Sequence, residues 1–144
     1  MADLLQLVHA PIDVPALATA APCDGAVALF VGVVRDENAG RAVLRLEYEA
    51  YEEMALAQMA EIAAEAHRRF PVTELRMVHR LGRLRIGEAS VVVAVASPHR
   101  DEAFLACRFA IDTLKARVPI WKKEYYADGS AWLGGPAAEA TPGA

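Results

Sequence analysis

The chain has 144 residues, 55% of them apolar and 24% charged, with a formal net charge of −4 at neutral pH. This composition excludes a disordered chain, the length suits one domain with its own core, and the acidic balance argues against a general nucleic-acid binder. Two cysteines, Cys23 and Cys107, in no CxxC arrangement predict a reducing compartment, with neither a disulfide framework nor a structural zinc. The N-terminal MADLLQLVHAPID lacks the basic start and long apolar run of a signal peptide, and no stretch is long enough to span a membrane, so a cytoplasmic protein is expected.

In chain order, Leu4 to Val8 reads as a short strand. Asp13 before Val14 and Pro15 marks the start of a brief helix, which Pro22 and Gly25 soon limit. The run GAVALFVGVV, Gly25 to Val34, predicts a strand buried on both faces, and Gly32 inside it marks a bulge or a close approach by another backbone or a ligand. Arg35 then opens a polar loop. Arg41 to Tyr51 alternates and predicts a half-solvated strand antiparallel to the preceding one. From Glu53 to Phe70 the apolar residues Ala55, Met59, Ile62, Ala63 and Ala66 recur at helical spacing. Val72 to Leu81 alternates again, Gly82 to Gly87 reads as a turn, and Ala89 to Ala96 as a second buried strand. Ser97 as N-cap and Pro98 at the first helical position predict a last helix, with Ala103, Phe104, Cys107, Ala110, Ile111 and Leu114 on its buried stripe. It ends near Arg117, because Pro119 cannot continue it. An extended WKKE segment follows, and Gly134 to Ala144 reads as a disordered Gly/Pro/Ala tail. The order predicts a single α+β domain over residues 1–133, with the tail at 134–144.

Candidate chemistry gathers late in the chain. Between His99 and Glu124, six cations (Arg100, Arg108, Lys115, Arg117, Lys122, Lys123) outnumber four carboxylates (Asp101, Glu102, Asp112, Glu124), a local reversal of the overall sign. His99 and Arg100 at a helix N-terminus form a candidate anion site, or simply a solvated first turn. Arg35 after the Gly32 strand can clamp a phosphate or carboxylate, or pair with Asp36 or Glu37. Lys115 can face a ligand or cap the helix dipole. Strand alternation puts Ile120, Lys122 and Glu124 on one face and Trp121, Lys123 and Tyr125 on the other. His9, His67 and His79 have no partner at metal-ligand spacing, so no metal is expected and they are assigned to surface or sheet positions. Cys107 reads as core.

Taken together, FVGVVRDENAG, LEYEAY, HRLG, SPHR and IDTLKARVPIWKKE, running in family order from about Ala26 to Trp132, resemble the catalytic large subunit of molybdopterin synthase. The resemblance implies a hammerhead-like α+β fold with a mixed or antiparallel sheet and two main helices. It also implies a homodimer within a heterotetramer, each protomer binding a small ubiquitin-like sulfur carrier whose C-terminal Gly-Gly ends as a thiocarboxylate. The implied activity is sulfur transfer to cyclic pyranopterin monophosphate, making the dithiolene of molybdopterin without a cofactor. Position by position, Lys115 and Lys122 match catalytic lysines, with Glu124 completing the W-K-x-E pattern. Arg35, His99 and Arg100 match residues that hold the pterin phosphate, and Val33, Val34 and Lys123 join the substrate-binding set. At Val33 some members carry a lysine, so only a backbone contact is expected there. Two alternatives remain: a non-catalytic module of the same fold that binds a ubiquitin-like tail, and a small phosphate-ligand sensor.

Overall fold

The computed structural model describes residues 3–134. Ten strands and three helices follow in the order β1 (Leu4–Val8), α1 (Val14–Leu17), β2 (Ala26–Val33), β3 (Glu37–Asn38), β4 (Arg41–Ala42), β5 (Arg45–Ala50), α2 (Glu52–Arg69), β6 (Glu74–Arg80), β7 (Gly82–Arg85), β8 (Ala89–Ser97), α3 (Arg100–Arg117), β9 (Ile120–Tyr126) and β10 (Gly129–Leu133). The expected tail lies, beyond Gly134, outside the described residues.

Two four-stranded sheets carry the architecture. The first has the order β1-β6-β8-β2 and is mixed, with β1 parallel to β6 and the other pairs antiparallel. Its centre is the valine-rich β8, whose residues from Ser90 to Ser97 are all buried. One face presents Leu75, Met77, Val91, Val93 and Val95 to α2 and α3. The other packs Val78, Val92 and Ala94 under Leu17 of the short helix α1. The second sheet, β10-β9-β5-β7, is antiparallel throughout. A two-stranded hairpin, β3–β4, stands apart.

Helix α2 buries Ala55, Met59, Ile62, Ala63 and Ala66, the stripe that the 3.6-residue period picks out. Glu52 and Glu53 in its first turn and His67, Arg68 and Arg69 in its last complement the helix dipole. Helix α3 lies beside it and buries Ala103, Ala106, Cys107, Ala110, Ile111 and Leu114. The alanines let both helices lie close to the sheet.

The structure corrects the sequence reading at several points. Strand β5 pairs with β7 and β9, not with β2, because the β3–β4 hairpin intervenes and carries the chain into the second sheet. Gly82 to Arg85 is strand β7 rather than a turn; Gly82 and Gly87, both at positive φ, mark the bends at either end. Strand β2 is an edge strand, with Leu29 42% and Val33 54% exposed, so its apolar run does not mean burial on both faces. Ser97 belongs to β8, and the N-cap of α3 is His99; the Ser97 hydroxyl instead accepts the His99 N–H at 3.4 Å. Phe104 is 65% exposed, and Ala106 takes its place on the buried stripe.

Gly25 illustrates how tightly the start of α3 is seated. Its N–H donates to the Ser97 carbonyl at 3.0 Å, and a Cβ built on it would stand 2.3 Å from the Pro98 carbonyl oxygen. Backbone cannot yield as a side chain does, so Gly25→Ala is expected to cost about 1–3 kcal/mol in denaturant unfolding. A cost near zero would show that the Ser97–Pro98 segment is free to shift.

Candidate active site

Three features converge where the two sheets meet. Pro119 stops α3, the backbone turns with Ile120 N–H donating to the Val118 carbonyl at 2.8 Å, and β9 leaves directly into the second sheet. The last turn of α3 and the first residues of β9 therefore form adjoining walls. The third wall is the end of β2, where the pairing with β8 slips between Gly32 and Val33. A Cβ on Gly32 would meet Val91 Cγ1 at 2.8 Å, so glycine here answers both to the bulge and to the closeness of β8. Between these walls lies an open cleft of about 760 Å³, lined in part by Gly32, Val33, Arg35, Lys115, Trp121, Lys122 and Glu124.

Arg35, Lys115 and Lys122 thus share one cavity, with Glu37 and Glu124 as the carboxylates on its lining. Arg35 and Lys115 are exposed, while the Lys122 side chain is 35% exposed. Glu124 is buried at 2%. Its Oε1 accepts from Asn38 Nδ2 at 2.8 Å and from the Tyr126 hydroxyl at 2.6 Å, and its Oε2 lies 3.8 Å from Lys122 Nζ. This carboxylate ties the β3–β4 hairpin to β9 and draws one lysine toward the cavity wall. The hydrogen bond to Glu124 is also the main reason that the Tyr126 phenol holds its proton to higher pH than usual.

Not every residue singled out in the sequence reaches this cavity. Val34 is 3% exposed and packs with Val43, Leu46 and Leu84. Its N–H donates to the Glu88 carbonyl at 3.0 Å and its own carbonyl accepts from Gly87 N–H at 2.8 Å, so its side chain is core and its peptide groups are engaged in the turn before β8. Lys123 points to the other face of β9, its Nζ 5.2 Å from the Tyr125 ring centroid and 5.4 Å from that of Trp132. His99 and Arg100 are exposed at the opposite end of α3. Fifteen helical positions separate Arg100 from Lys115, a rise of about 22 Å, so within one chain these two residues and the cavity are distant.

The structure adds residues that spacing alone did not single out. Tyr48, His79 and Ser90 line the inner part of the cleft. His79 sits in β6, a sheet position as expected, but is 5% exposed, with its ring edge-on to Tyr48 at a centroid distance of 4.9 Å. Burial, and secondarily the Lys115 charge, lower its pKa to about 4, so it is neutral near pH 7. Burial likewise raises the pKa of the Tyr48 phenol. Cys107, core as expected, is pushed up to about 11 by burial and is no thiolate. Among the described residues no group of three or more His, Cys, Asp or Glu is placed to hold a metal ion.

Fold and cleft together define an α+β protein that gathers cations at the junction of two sheets, a site suited to anionic ligands. The profile of the family described as "MoaE protein" matches residues 7–117, and the chain belongs to that family. It is 45% identical over 135 residues to the molybdopterin synthase catalytic subunit of Nostoc sp., covering 91% of this chain and 82% of the relative. With the Homo sapiens protein of that name it shares 46% identity over 113 residues, 78% of this chain and 60% of the relative. Among solved structures, molybdopterin synthase from Staphylococcus aureus superposes with a TM-score of 0.85 at 42% identity, covering 90% of this chain and 96% of that one. A chain from the Helicobacter pylori complex of subunits 1 and 2 of molybdopterin-converting factor shares the fold, with a TM-score of 0.74 at 23% identity.

Proposed function

We propose that the chain works as the catalytic subunit of molybdopterin synthase, a sulfurtransferase that converts cyclic pyranopterin monophosphate to molybdopterin. The sulfur comes from the C-terminal thiocarboxylate of a small ubiquitin-like carrier. The observation that carries this reading is the convergence of Arg35, Lys115 and Lys122 on one cleft floored by a buried Glu124. The nucleophile arrives on the partner, so the chain itself needs no activated cysteine. Its task is to hold two anions, a phosphate and a thiocarboxylate, against their repulsion, which clustered cations in a partly enclosed pocket achieve.

In this reading Arg35 holds the phosphate, while Lys115 orients the thiocarboxylate and neutralises charge as sulfur attacks. Lys122, placed by Glu124, donates a proton or stabilises charge as the cyclic phosphate opens. Val33 contributes through its backbone at the bulge; the side chains of Val34, packed in the core, and of Lys123, stacked near Tyr125, are given no direct contact in this mechanism. His99 and Arg100 join the phosphate site only from a second protomer, since α3 holds them about 22 Å from Lys115. The active form is accordingly a homodimer carrying one sulfur carrier per protomer.

Two measurements test this. Product should form from the pterin monophosphate only when thiocarboxylated carrier is supplied. On subunit exchange between equal amounts of Lys115→Ala and Arg100→Ala protomers, each inactive alone, activity should recover to roughly a quarter of wild type, because half of the dimers are mixed and each re-forms one intact composite site of its two. No recovery would remove His99 and Arg100 from the cleft.

A further inference from the structure

We propose that His79 Nε2 is the acceptor in the cleft that recognises an N–H donor on the heterocycle of the bound pterin phosphate. The inference rests on the functional reading above and assigns that site a second, uncharged side. Along β6 the residues facing the helices are Leu75, Met77 and then His79, so the switch from apolar to polar falls where this sheet face passes from core to cleft. The ring's Nδ1 lies 2.8 Å from the Arg80 carbonyl. A carbonyl only accepts, so Nδ1 carries the proton and Nε2 is left with a lone pair. The hydrogen bonds among the described residues engage Nδ1 alone.

The surroundings keep this lone pair available. Tyr48 packs edge-on against the ring and fixes its plane, and burial beside Lys115 disfavours protonation of the imidazole. Arg35, Lys115 and Lys122 take negative charge, whereas His79 Nε2 offers a lone pair that only an N–H or O–H donor can use. A ring N–H or exocyclic amino group on the substrate supplies such a donor, and inorganic phosphate at neutral pH is bound by the cations instead. Polar acceptors that would be left unpaired by a ligand without the donor give a site its selectivity.

Equilibrium titration of the complex with unthiolated carrier, which binds without turnover, tests the assignment. His79→Phe keeps the packing with Tyr48 and removes the acceptor; it should raise the Kd of cyclic pyranopterin monophosphate about tenfold, with the Kd of inorganic phosphate unchanged. His79→Gln, whose amide oxygen replaces the acceptor, should return the pterin Kd to within about threefold of wild type. An unchanged pterin Kd in His79→Phe, or an equal rise for pterin and phosphate, overturns the proposal. Failure of the functional reading looks different: wild type would bind the pterin and make no product with thiocarboxylated carrier.

Discussion

Lys115→Ala should abolish most sulfur transfer while leaving the fold intact. The lysine is exposed in the last turn of α3, where it complements the helix dipole, worth about 0.3–1 kcal/mol. In the proposed mechanism its catalytic task is larger, because a preplaced charge facing a developing anion is worth about 10²–10³ in rate. Single-turnover reactions with thiocarboxylated carrier should therefore slow by that factor, with a melting temperature close to wild type. Near-normal product formation would remove Lys115 from the mechanism.

The second large effect is expected at Glu124, which in the proposed mechanism is a positioning residue acting through Lys122. Glutamine at this position can keep its amide oxygen toward Asn38 Nδ2 and the Tyr126 hydroxyl, both of which donate to Oε1. Its NH2 group then faces Lys122 Nζ where Oε2 stood 3.8 Å away. Donor meets donor, and the lysine swings out. Glu124→Gln should thus unfold like wild type but lose about tenfold to a hundredfold in single-turnover rate, the usual consequence of a misplaced group. Glu124→Ala strands Asn38 and Tyr126 as well and should cost about 1–3 kcal/mol of stability besides. If Gln and Ala variants were equally unstable, the role of Glu124 would be structural rather than positional.

The helices and the cationic walls were legible in the sequence because their signals are local. The five-residue stripe of α2 follows from helical periodicity, and the break at Pro119 puts Lys115 and Lys122 on either side of one corner. Strand partners were less legible. β5 alternates as expected, but its neighbours β7 and β9 lie far along the chain, and alternation says nothing about which edge a strand joins. The four residues of β7, closed by glycine bends, carry too short a pattern to separate strand from turn. At α3 the rule favouring Ser-Pro as a helix start lost to the sheet, which claims Ser97 for β8. Spacing places His79 on a sheet or the surface and no further; the role proposed for it rests on a bond to the next residue's carbonyl and a cavity beside it, neither of which spacing records.

Helix α3 has 18 residues and spans about 27 Å, with His99 and Arg100 at one end and Lys115 at the other. In the proposed dimer it is a strut between half of one reaction chamber and half of the next. A strut of this kind also keeps phase: each residue added to or removed from a helix turns one end against the other by about 100°. A single-residue insertion midway, at an exposed position such as Arg108, would leave both half-sites chemically whole yet aim them past each other.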